Sequence, residues 1–95
     1  MFYERRIGSL AALVREAETM DADAGIRMAG RLAGRRCYAF VSRFGHRYTV
    51  MVYEKKARDG HGLGRRLASE ELEGITGLEA FLRKIVSGKL EAFAY

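Results

Sequence analysis

Apolar residues recur at Leu10, Leu13, Val14, Ala17 and Met20, a three-and-four spacing that predicts one helical face. Ser9 stands where its hydroxyl can accept a free amide of the first turn. Asp21-Ala-Asp23-Ala-Gly25 breaks that stripe. Asp23 then predicts the cap of a second helix carrying Ile26, Met28, Ala29, Leu32 and Ala33, closed by Gly34. A single kinked helix from Leu10 to Ala33 is the alternative.

The period drops to two over the next twenty residues. Positions 36–44 and 47–55 are rich in Tyr, Phe, Val and Thr and predict two strands. Gly45-His46 between them suits a two-residue type II′ turn, with glycine where φ must be positive. Such a turn pairs Phe44 with Arg47, Ser42 with Thr49, Phe40 with Met51 and Tyr38 with Tyr53. Alternation then gives the hairpin a small aliphatic face of Cys37, Ala39, Val41, Val50 and Val52, suited to packing on helices. The opposite face carries Tyr38, Phe40, Phe44, Met51 and Tyr53, mixed with Ser42, Thr49, Arg47 and Lys55.

Residues 55–66 read as a glycine-rich basic connection, with Gly60, Gly62 and Gly64 spaced by two. Positions 67–75 fit a third strand or a helical turn equally. Thr76-Gly-Leu-Glu79 matches a capping box, opening a helix whose Leu78, Phe81, Leu82, Ile85 and Val86 share one face and which stops at Gly88. Leu90, Ala92 and Ala94 alternate with Glu91, Phe93 and Tyr95, which permits a short last strand. The expected fold is a single α+β domain over 1–95: N-terminal helices, an antiparallel sheet built on the 36–55 hairpin, and a C-terminal amphipathic helix.

Charge changes this picture most. Ten of the seventeen Lys and Arg residues but only two of the twelve acids, Glu54 and Asp59, fall within 31–66, so that stretch carries +8 and the remainder −3. A concentrated basic segment laced with aromatics suits a polyanion with stackable bases, because phosphate attraction adds to ring stacking. Arginine outnumbers lysine thirteen to four, favouring groups that pair bidentately with phosphate. The chain has no Asn, Gln, Pro or Trp, and a charged composition without amide side chains is expected of a thermophile, archaeal in character. A single cysteine excludes an internal disulfide framework, and no apolar run reaches the ~20 residues a membrane helix needs. With no leader recognisable, the cytoplasm is the expected location and no membrane partner is expected.

The candidate interface follows from these two patterns. Tyr38, Phe40 and Tyr53 would stack bases, while Arg36, Arg43, Arg47, Lys55, Lys56, Arg58, Arg65 and Arg66 would meet phosphates of RNA or single-stranded DNA. The glycine loop lacks a Walker ending and the dinucleotide fingerprint. Cys37, His46 and His61 are not at metal-ligand spacing, so neither metal nor cofactor is expected. Glu70, Glu71, Glu73 and Glu79 read as a solvated acidic face. Two alternatives use the same surface: a homodimer through the aromatic face, and a metal-independent ribonuclease relying on Arg, His and Tyr.

The order helix, hairpin, further strand and helix resembles the double-stranded RNA-binding domain, and Gly45-His46 and Lys55-Lys56-Ala57 are similar to fragments of its motifs. Helices leading through Leu32-Ala-Gly-Arg-Arg36 into a basic hairpin also look like the ribonuclease toxins of toxin–antitoxin pairs. Size and composition are similar to the small single-strand-binding proteins of hyperthermophilic archaea. Each resemblance implies a nucleic-acid partner, and the second implies RNA cleavage.

Overall fold

β-branched and aromatic residues with period-two burial build the centre of the fold. Strands β3 (Arg35–Phe44) and β4 (Arg47–Lys55) pair antiparallel, with Phe44 opposite Arg47, Phe40 opposite Met51 and Tyr38 opposite Tyr53, the register expected from the sequence. Gly45 takes φ = +63° at the first turn position, where a side chain would be strained. The computed structural model describes residues 5–55 and 63–95, and in it this hairpin is part of a six-stranded antiparallel sheet. The other elements are β1 (Arg5–Ile7), α1 (Leu10–Thr19), β2 (Gly25–Leu32), β5 (Leu63–Glu73), α2 (Gly74–Ile85) and β6 (Val86–Ala94). Across the sheet the strands run β1-β6-β2-β3-β4-β5.

The expected arrangement of N-terminal helices, central sheet and C-terminal helix is therefore corrected. The first helix forms as read, with Ser9 Oγ accepting the Ala12 amide at 3.1 Å. The segment read as a second helix is strand β2, and the chain finishes on strand β6 rather than on a helix. Ile26, Met28 and Leu32 satisfy a period of two as well as one near 3.6. Pairing on both sides, with β3 and β6, decides the matter, because a doubly paired strand satisfies every backbone group that a short helix would leave at its ends. Ala33-Gly34 is then a hairpin turn with φ of +53° and +82°, not a helix end. These added strands also take the order of elements away from that of the double-stranded RNA-binding domain.

Two further readings change at the C-terminal side. β5 occupies 63–73, so Arg65 and Arg66 belong to a strand rather than to a loop. The Thr76–Glu79 capping box does not form: α2 begins at Gly74, and its N-cap Glu73 makes no side-chain cap. The Gly74 amide donates to the His46 carbonyl at 2.7 Å, so the neighbouring turn satisfies one of the free amides at the start of the helix. Glu79 is left to pair with Arg83 one turn on, at 2.8 Å. The helix ends at Ile85, before the expected stop at Gly88, and Val86 leads straight into β6.

Both helices pack on one face of the sheet. Leu13 and Ala17 of α1 and Leu78 and Leu82 of α2 are fully buried against Ile26, Met28, Leu32, Ala39, Val41 and Val50. Each such Leu removes apolar surface from water worth roughly 1.5–3 kcal/mol. Tyr48 joins this core by alternation with Val50 and Val52, and its hydroxyl donates to the Ala17 carbonyl at 2.9 Å. Among the described residues no helix is long and apolar enough to cross a membrane.

Candidate nucleic-acid interface

With the helices confined to one side, the other face of the sheet is covered, among the described residues, by nothing but its own side chains. Cross-strand partners share a face, so the registers sort that surface into rows perpendicular to the strands. One row reads Arg6, Phe93, Arg27, Phe40, Met51 and Ser69 from β1 to β5. The next reads Glu91, Ala29, Tyr38, Tyr53 and Arg66. Beyond it Arg31 pairs with Arg36, and Lys55 is next along β4.

The rings are held by neighbours and remain half-buried. Phe40 meets Tyr53 edge to face, with centroids 5.9 Å apart and planes at 74°. The Tyr53 hydroxyl points to Met51 Sδ at 3.6 Å. The Lys55 ammonium lies 5.6 Å from the Tyr38 ring centre, and the Arg27 guanidinium 4.8 Å from that of Phe93. A cation over a ring keeps one side of that ring polar and steers an anion beside it. At this end of the sheet Arg31, Arg36, Lys55 and Lys89, with Glu91, border an open cleft of about 1030 Å³.

The candidate residues do not all gather here. Tyr38, Phe40, Tyr53, Arg36, Lys55 and Arg66 share the uncovered face. Arg47 lies at the far, hairpin-turn end and is engaged by Glu71 at 3.4 Å and Glu73 at 3.7 Å. Arg65 is on the helix side, beside Arg35, Leu67 and Phe81. Lys56, Arg58 and His61 lie outside the described residues.

Arg43 is the clearest correction among them. Its side chain is on the helix face, where Nη1 donates to the carbonyls of Glu18 at 2.8 Å and Met20 at 3.3 Å, and Nε to that of Gly45 at 2.9 Å. It closes the carboxyl end of α1, whose last carbonyls have no helical partner and attract a cation. Arg43→Ala is accordingly expected to cost about 1.5–3 kcal/mol of stability, read from a denaturant midpoint, while leaving any nucleic-acid affinity within twofold.

Arg27, Arg31 and Phe93 were missing from the candidate interface read from the sequence. Their signal was alternation in 25–32 and 86–94: once both are strands, Arg27 and Phe93 fall on the face of Phe40. Cys37 is buried, and loss of hydration pushes its thiol above the usual range, which keeps it protonated and unreactive. His46 is on the hairpin turn, about 26 Å along the strand from Arg36 at ~3.3 Å per residue. Among the described residues no three His, Cys, Asp or Glu side chains cluster to hold a metal. Glu70, Glu71 and Glu73 lie on the edge strand β5 and Glu79 on α2. Comparison of the chain with protein-family models, with curated proteins and with solved structures finds no match in any of the three.

Proposed function

We propose that the uncovered sheet face binds single-stranded RNA or DNA without strong sequence preference. One observation carries this reading: aromatic rings and cations interleave on the sheet face that no helix among the described residues covers, and the purely cationic row borders the aromatic ones. Bases are sequence-tolerant partners for rings, and the cations supply the salt-dependent part of the affinity. A duplex hides its base faces and would use only the cations. The separation of His46 from the basic row favours binding over RNA cleavage, since among the described residues no histidine stands beside the cations there.

The test is a titration of labelled single-stranded RNA, single-stranded DNA and duplex by fluorescence anisotropy over a range of salt. Single strands bind more tightly than duplex, and log K falls linearly with log salt. Arg31→Ala/Arg36→Ala is expected to reduce that slope by about 0.7 for each phosphate no longer neutralised. An unchanged slope, or equal affinity for duplex and single strand, rules the reading out.

A further inference from the structure

β5 is an edge strand of this sheet, eleven residues long and, among the described residues, hydrogen-bonded only to β4. The opposite edge, β1, has three described residues. The signs of charge along β5 are segregated: Arg65-Arg66 in its first half, Glu70-Glu71 in its second, and Ala68 between them. Charges on an edge ordinarily keep copies apart because like meets like. Segregated charges do so for parallel pairing only. Antiparallel pairing of two copies sets the first half of each β5 beside the second half of the other, and every Arg pair beside a Glu pair.

Both faces of such a junction are matched. Arg66 and Glu71 are cross-strand from Tyr53 and Thr49, hence on the uncovered face, while Glu70 is cross-strand from Val50 and shares the helix side with Arg65. Arg65, Arg66 and Glu70 form no ion pair with another described residue. The same margin is apolar on its helix side. Leu67 and Ala68, with Val52, Phe81 and Ile85, line a cleft of about 420 Å³ beside the first half of β5. In the antiparallel arrangement that cleft adjoins the second half of the other β5, where Leu72, and Ile75 at the start of α2, are half-buried. The irregularities in the β4–β5 register fall at Val52–Lys55, opposite the first half of β5, while residues 68–73 pair regularly with β4.

We infer that two copies of this chain join antiparallel through β5, extending the sheet across a two-fold axis perpendicular to it. The axis passes near Ala68 and places both aromatic faces on the same side. This inference does not depend on what those faces bind.

Sedimentation velocity on the full chain at low salt tests it by charge reversal. The unaltered protein sediments as a dimer. Arg65→Glu/Arg66→Glu and Glu70→Arg/Glu71→Arg each weaken self-association on the order of 100-fold or more, because like charges then face one another. An equimolar mixture of the two variants restores the dimer. Circular dichroism establishes that both are folded; should either not be, the alanine pairs at the same positions weaken the dimer, and their mixture, which recovers one of the two Arg–Glu junctions, restores it in part. A monomeric unaltered protein overturns the inference. So does a dimer that survives both reversals, which would place the contact on the aromatic face, or a mixture that stays monomeric.

Discussion

Alanine in place of both Tyr38 and Phe40 is expected to lower single-strand affinity by at least ~30-fold while the melting midpoint falls by only about 5 °C. Stacking contributes roughly 1–3 kcal/mol per base, and two adjacent rings are not independent, so about 2 kcal/mol is the lower end for the pair. The stability change is small because neither ring touches the helix-side core; the double variant forfeits the Phe40–Tyr53 edge-to-face packing and the Tyr38–Tyr53 cross-strand pair, each worth about 0.2–1 kcal/mol. Anisotropy titration and a thermal melt on the same preparation separate the two effects. Unchanged affinity in a folded double variant would remove the stacking role altogether.

Leu82→Ala acts on the other side of the sheet and should do the reverse. Leu78 and Leu82 are the two residues of α2 that are wholly buried. Truncating one leaves a cavity in a layer only one helix thick, at about 2–5 kcal/mol. Against a total stability of roughly 5–15 kcal/mol this is a large fraction, and the melting midpoint should fall by about 10 °C or more. Ala80→Ser, on the exposed side of the same helix, is the control and should stay within about 0.5 kcal/mol. A Leu82 variant melting with the control would mean that α2 is not held to the sheet as described.

What could be read from the residues was local. The 36–55 hairpin was legible down to its register because one glycine-bearing turn fixes the pairing and alternation fixes the faces. The first helix was legible from Ser9 and its stripe. β2 was not: Ile26, Met28 and Leu32 serve either period, and only the partners on both sides, one of them from the far end of the chain, select the strand. The capping box failed because the helix starts at Gly74, which puts Thr76 inside its first turn, and the amide of Gly74 finds its acceptor in another turn. At the interface the central rings were legible, whereas Arg27 and Phe93 needed the β2–β6 pairing, and Arg43 lay one residue out of phase with the face it had been assigned to. Alternation within β3 already placed Arg43 with Val41 and Cys37, a signal that its charge obscured.

β6 lies between β1 and β2, and β1 has no other partner in the sheet. Arg5 opposite Ala94 joins positions separated by nearly the whole of the chain. During synthesis the four consecutive strands from β2 to β5 can pair as each one emerges, but β1 must wait, tethered through α1, until the last strand leaves the ribosome and is inserted beside it. Contacts so distant in sequence form late and slowly. Until they form, the nascent sheet presents β2 as a second open edge, with Ile26 and Met28 beside it. Vectorial folding of this sheet is therefore completed only once β6 has emerged, and the interval before that is when the unfinished sheet is most exposed to other chains.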